Sequence, residues 1–196
     1  MLTCPWEIVY EAPAIEADPA RIRTMFDTNV HGLFNMVSAF TPLLMASGSV
    51  QNSVPPVIIN TASILARVPF PFSAAYNASK AAVAVYSDAL RIELEPLGIK
   101  VVTLFMGEVR TRLKSPEDIS FGSESIYSAL SDEVKDRSRN HAKNSMSPEE
   151  FAAQVVKEIL IRSPGYGRGE YLWKGANAWL IWFLDAVGRR RFLMAL

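Results

Sequence analysis

Residues 57–105 read VIINTASILARVPFPFSAAYNASKAAVAVYSDALRIELEPLGIKVVTLF, and the order of apolar runs in this stretch decides the fold. Val57-Ile58-Ile59-Asn60 is short, β-branched and apolar, which suits a strand buried on both faces of a parallel sheet. Ala74 to Glu95 is long, Ala-rich and helical, and it stops at Pro96-Leu97-Gly98. Ile99–Phe105 then reads as a second buried strand. Strand, helix and strand, with apolar strands, is the α/β pattern of a parallel sheet.

Upstream, Asp18 is a predicted N-cap with Pro19 at the first helical position. Ile22, Met25, Phe26, Val30, Leu33, Phe34, Val37 and Phe40 recur at three- and four-residue steps and predict one helix. The first twenty residues carry Pro5, Pro13 and Pro19 and read as loop, as does Ser47–Pro56. Downstream, Lys114–Ser147 is rich in Ser and in both charge signs, which predicts a mobile flap or a pair of short helices. Ser147-Pro148-Glu149-Glu150 is a capping box, with Phe151, Val155, Val156, Ile159 and Leu160 as the apolar face behind it. Gly165–Gly169 reads as a turn and Glu170–Trp173 as a final short strand. There is no internal repeat.

The chain has 196 residues, 49% of them hydrophobic and 20% charged, which predicts one domain with a sizeable core. Twenty basic and twenty acidic residues leave no net charge, so the basic excess of a nucleic-acid binder is missing. The single cysteine, Cys4, excludes a disulfide framework and a Cys-rich zinc site. His31 and His141 lie far apart without ligand-like spacing, and no metal site is expected. The N-terminus has no basic segment leading into an apolar run, so no signal peptide is read. No run of roughly 18 uninterrupted apolar residues argues for a spanning helix. The nearest, Ala176–Val187, is broken by Asn177 and Asp185. An intracellular protein, soluble or peripherally attached, is the expectation.

One local pattern carries chemistry. Tyr76 and Lys80, four apart on the predicted helix, share a face. A free phenol titrates near pH ~10 and is a poor proton donor or acceptor at neutral pH. A neighbouring ammonium favours the phenolate and brings it nearer the working range. A surface Tyr and Lys would give the same spacing. Thirteen residues upstream, Ser63 follows the first strand at its carboxyl end, where open α/β sheets place ligands. It either caps a turn there or hydrogen-bonds the same substrate oxygen as Tyr76.

Together these residues resemble the short-chain dehydrogenases/reductases, Rossmann-type enzymes that move a hydride between NAD(P)H and a carbonyl or alcohol. The resemblance runs from about Arg21 to Leu113 through four motifs in order. They are Asn29 in FDTNVHG (26–32), Ser63, the Tyr76-x-x-x-Lys80 pair in AYNASKAA (75–82), and MGEVRT (106–111). The last is similar to a Pro-Gly-x-Val-x-Thr segment, with Met106 in place of proline. The resemblance implies that Tyr76 is the general acid in ketone reduction. Lys80 would lower the Tyr76 pKa and bind the nicotinamide ribose, and Ser63 would orient the carbonyl. Asn29 would hold a water that links Lys80 to solvent, unless it is simply a helix asparagine bonded to backbone. Gly107, Val109 and Thr111 would cradle the nicotinamide end. The tail YGRGEYLWKG (166–175) and RVPFPF (67–72) resemble fungal NADPH-dependent acyl-dihydroxyacetone-phosphate reductases, and also tailoring reductases of polyketides and terpenoids. NADP(H) is the implied cofactor, a small ketone or alcohol the substrate, and a homodimer the implied assembly. The implied location is the cytoplasm, with peripheral attachment to endoplasmic reticulum or lipid droplets.

The Thr-Gly-x-x-x-Gly-x-Gly loop that opens the family's fold does not occur in this sequence. The expected fold is therefore the C-terminal half of a doubly wound parallel sheet, truncated at its N-terminus, across residues 1–196. Residues 114–147 are the expected substrate lid, with Ile119, Phe121, Ile126, Tyr127 and Leu130 lining a pocket or anchoring a solvated loop. His141 is expected at the surface. Residues 172–196 form an apolar and basic tail, read as a helix in a membrane interface or packed on the core. A catalytically inactive remnant that binds only a membrane or a homologue is the alternative to an enzyme.

Overall fold

The computed structural model describes residues 2–3, 8–48, 55–111, 113, 119–161 and 171–187. Four strands, β1 (Leu2–Thr3), β2 (Val57–Ser63), β3 (Lys100–Met106) and β4 (Tyr171–Lys174), form one sheet in the order β1-β2-β3-β4. All neighbours are parallel. The register pairs Val57 with Lys100 and Ser63 with Met106, so β2 and β3 end level. β4 ends one residue beyond the Glu170–Trp173 reading, and Glu170 lies outside the described residues. β1 departs from the expectation of loop throughout the first twenty residues, because Leu2 and Thr3 pair with Ile59 and Asn60 of β2. A two-residue strand has no alternation to read; only its partner reveals it.

Alternation along the strands builds two cores. Ile58, Ala62, Val101 and Phe105 face α3 (Ala74–Leu94) and α2 (Gly32–Gly48), against Val83, Ala84, Leu90, Leu94, Leu33 and Val37. Ile59, Val102, Leu104 and Leu172 face the other way, onto Val155, Phe151 and Ile159 of α5 (Pro148–Ile161). Helices thus cover both faces, the three-layer arrangement of a Rossmann-like α/β fold. Asn60 is fully buried on the α3 face, where its amide donates to Ser87 Oγ at 3.0 Å. Ser147 Oγ accepts from Glu150 N at 3.1 Å, the expected cap of α5.

The helix predicted from Pro19 onward is interrupted in its middle. α1 (Pro19–Phe26), capped by Asp18 Oδ1 on Ala20 N at 2.8 Å, passes into a π turn at Asp27–His31 before α2 begins. The Gly32 N–H bonds Asp27 O, five residues back. Taken together, Pro19–Gly48 is long and apolar enough to cross a membrane by length and composition, although no uninterrupted apolar run marks it in the sequence. Here it packs through Leu33 and Val37 onto the sheet and α3.

The segment expected as a flap holds a 3-10 turn, Ser128–Leu130, and one helix, α4 (Ser131–Asn144). Residues 114–118 of that segment, the Gly165–Gly169 turn and residues 188–196 of the tail lie outside the described residues. The described tail is β4 and α6 (Ala178–Ala186).

Candidate active site

The level ends of β2 and β3 open a cavity of ≈ 200 Å³ lined by Ser63, Tyr76, Gly107, Val109 and Thr111, among others. Ser63 reaches it as the last residue of β2, and Tyr76 from the first turn of α3. Both are buried, 6% and 5% exposed. Lys80 lies one turn further along α3, 2% exposed, with Nζ 5.8 Å from the Tyr76 ring centroid. Its ammonium donates to Thr61 O at 3.1 Å, which helps a lysine remain buried. The surface reading of this pair is therefore excluded by burial.

Ser63 caps a turn, the first of its two readings. Its Oγ accepts from Leu65 N at 3.2 Å, capping the 3-10 turn Ile64–Ala66. A hydroxyl used as an acceptor still has its own O–H to donate.

Asn29 sits in the π turn, 7% exposed. Its Oδ1 accepts from Ile8 N at 3.0 Å, and its Nδ2 donates to Ile8 O at 2.9 Å and Ser79 Oγ at 3.3 Å. The side chain thus ties the chain before α1 to α3, close to the backbone-bonded reading. Asn29→Ala leaves these partly buried partners unsatisfied and is expected to lower the unfolding free energy by about 2–4 kcal/mol. Urea denaturation checks this; an unchanged midpoint would show that Ile8 finds other partners.

Gly107 makes a close approach, but to the protein's own backbone. A Cβ there would stand 2.1 Å from Ala176 O. Gly107 N donates to Lys174 O at 2.7 Å, and Glu108 exchanges two bonds of 3.1 Å with Ala176. Val109 bridges to Met146, while Thr111 Oγ accepts from Leu113 N at 3.3 Å. Of the six residues expected to bind the cofactor, Tyr76, Gly107, Val109 and Thr111 line the cavity that holds Ser63, while Asn29 and Lys80 are not among its lining residues.

Of the apolar anchors expected between residues 114 and 147, none lines the cavity. Phe121 and Tyr127 pack on the Phe72 ring, with centroids 4.9 and 5.6 Å away, and Ile126 is exposed. Among the described residues of this segment, Ser138, His141 and Ser145 line the cavity instead. His141 is not a simple surface residue: its Nδ1 lies 3.2 Å from Glu108 Oε1 and its ring 5.6 Å from Phe70. One turn away, Arg137 stacks over the same Phe70 ring at 4.3 Å and donates to Pro71 O at 3.3 Å. Burial pulls the Arg137 pKa down, and the Glu11 carboxylate opposes that shift. The only trace of this clamp in the sequence is the i, i+4 spacing of Arg137 and His141.

The family model for short chain dehydrogenases matches residues 8–119. The chain is 37% identical over 185 residues to the short-chain dehydrogenase virD of Hypocrea virens, covering 93% of this chain and 60% of that protein. It is 34% identical over 187 residues to an NADPH-dependent 1-acyldihydroxyacetone phosphate reductase of Schizosaccharomyces pombe, covering 91% and 59%. The crystal structure of a Burkholderia cenocepacia short chain dehydrogenase in complex with NADP superposes with a TM-score of 0.70 at 25% identity, over 98% of this chain and 66% of that one. The chain thus spans about 60% of the length of the curated relatives it matches.

Proposed function

The chain belongs to the short-chain dehydrogenase family, and from that premise we propose that it reduces a ketone on a lipid-like, polyketide-like or terpenoid-like substrate with NADP(H). The observation that carries this reading is the single cavity holding the Ser63 and Tyr76 side chains, with the buried Lys80 ammonium against the Tyr76 ring.

The residues present fit the nicotinamide end of the cofactor: the Gly107–Thr111 segment lines the same cavity as the reacting pair. The backbone of Val109 and the hydroxyl of Thr111 would anchor the carboxamide and phosphate there, and Lys80 the ribose. When bound, the cofactor supplies the hydride that adds to the carbonyl carbon. Tyr76 gives its phenolic proton to the carbonyl oxygen, and the Lys80 ammonium stabilises the negative charge left on the phenol. Ser63, whose Oγ accepts from Leu65 N, directs its O–H at the same carbonyl oxygen and shares its developing charge. The Asn29 side chain is engaged by Ile8 and Ser79, and the water that would link Lys80 to solvent is assigned to this residue by the family resemblance alone. Position-matched Tyr76, Lys80, Ser63 and Asn29 form the catalytic set of this proposal, residues 114–147 its lid, and a homodimer its assembly.

The names of the relatives support the substrate class: one is an acyldihydroxyacetone phosphate reductase. A cytoplasmic location with peripheral attachment to endoplasmic reticulum or lipid droplets goes with such a substrate.

Titrating NADPH into the purified chain and following nucleotide fluorescence tests the reading. Saturable binding is the expected result, followed by turnover on a ketone panel. Absence of binding would overturn the assignment of this activity to the chain.

A further inference from the structure

α4 turns a polar face to the cavity. Ser138, His141 and the C-cap Ser145 follow one another at steps of three and four residues, and all line the cavity that holds Tyr76. One turn earlier Val134 is buried, 3% exposed, and seats the helix.

Ser138 stands out among the buried serines. It is 4% exposed, yet its hydroxyl makes no hydrogen bond among the described residues. The buried serines of α3 behave otherwise: Ser79 Oγ donates to Tyr76 O at 2.8 Å, and Ser87 Oγ to Val83 O at 2.7 Å. A buried hydroxyl without a partner is destabilising. Here the cavity is where a partner can come from.

His141 is held in one orientation. Its Nδ1 lies 3.2 Å from Glu108 Oε1, and its ring sits 5.6 Å from that of Phe70. A carboxylate only accepts, so Nδ1 carries the N–H and donates it to Glu108. Nε2 of the neutral ring is then an acceptor, turned away from Glu108. It makes no hydrogen bond among the described residues.

We propose that Ser138 and His141 recognise a hydroxyl group that the substrate carries close to its ketone. That hydroxyl accepts from Ser138 Oγ–H and donates to His141 Nε2, so each wall residue supplies what the other lacks. The inference rests on the proposed reductase reading, in which Ser63 and Tyr76 take the carbonyl oxygen. All four side chains line one cavity of ≈ 200 Å³. So small a space holds only a short stretch of substrate, which puts the hydroxyl within a few bonds of the carbonyl. Val9, Ile64, Leu65 and Met106 line the same cavity and suit the apolar remainder. A hydroxyl fits this wall better than an anion does, because the Glu108 carboxylate beside His141 repels negative charge.

Calorimetric titration of the full chain with a long-chain hydroxymethyl ketone and the matching methyl ketone tests the proposal by binding alone. Both are titrated with and without NADP⁺, which has no hydride to give. The hydroxymethyl ketone is expected to bind about tenfold tighter or more. Ser138→Ala and His141→Leu are each expected to reduce that ratio to about threefold, and the double variant to remove it. Comparing two ketones in one protein cancels a general loss of stability, and the wild-type ratio needs no variant at all. Equal binding of the two ketones, binding of neither, or a ratio that both variants leave intact would overturn the proposal. Tighter binding of the matching α-keto acid would overturn it in favour of an anion held by Arg110, which also lines the cavity. A hydroxyl preference that the variants abolish, in a chain that does not bind NADPH, would support the recognition wall and overturn the reductase reading alone.

Discussion

Replacing Tyr76 with phenylalanine is expected to cut turnover on a ketone substrate by on the order of a thousandfold or more, while leaving NADPH binding nearly unchanged. The change removes one oxygen and keeps the ring, so the packing of Tyr76 with Met25 and Tyr10 is retained. What is lost is the phenol that transfers its proton to the carbonyl oxygen in this proposal, whereas Ser63 only donates a hydrogen bond there. Lys80 keeps its bond to Thr61 O and, with Nζ 5.8 Å from the Tyr76 ring centroid, does not take the place of the phenolic oxygen. Steady-state kinetics with and without the hydroxyl, alongside a nucleotide titration, separate the two effects. A phenylalanine variant with normal turnover would sink the catalytic assignment. One that loses nucleotide binding in proportion would show that Tyr76 matters to the fold instead.

Gly107→Ala is the second substitution with a large expected effect, this time on stability. Its Cβ would stand 2.1 Å from Ala176 O, far inside van der Waals contact. Gly175 faces it, with φ +100, and a Cβ there would lie 3.0 Å from Gly107 N. The two backbones cannot separate cheaply, since the Gly107 N to Lys174 O bond and the paired bonds between Glu108 and Ala176 hold them together. Breaking these bonds while over-packing the crossing is expected to cost about 3–5 kcal/mol. For a domain of this size that corresponds to a fall in melting temperature of roughly 10 °C. Gly98→Ala is the comparison. Gly98 also has positive φ, +71, but a Cβ there meets nothing within 4 Å, so only about 1 kcal/mol of backbone strain is expected. Thermal unfolding followed by circular dichroism measures both. Similar small shifts for the two variants would show that the crossing relaxes.

Most of the sheet was legible because its strands are buried on both sides. Val57–Asn60 and Ile99–Phe105 need only local sequence to identify them, and the observed strands extend or shift those bounds by one to three residues. Ser147 as a cap and the helix from Ala74 are equally local, since the atoms involved lie within one turn. The π turn at Asp27–His31 was not legible: its three- and four-residue steps fit a straight helix, and Asn29 is held there by Ile8 and Ser79, the latter 50 residues away.

The site divides in the same way. Sequence alone determined that Tyr76 and Lys80 share a helical face and that Ser63 follows a strand, because spacing along a helix or strand fixes direction through local geometry. Tertiary structure decided that Lys80 is buried, that Gly107 yields to Ala176, and that His141 meets Glu108 at the cavity. It also decided which side of α6 is covered, since the helix is apolar all round and carries no pattern to say so. These outcomes depend on contacts between segments far apart in the chain, whose side chains carry no record of one another until packing brings them within a few ångströms.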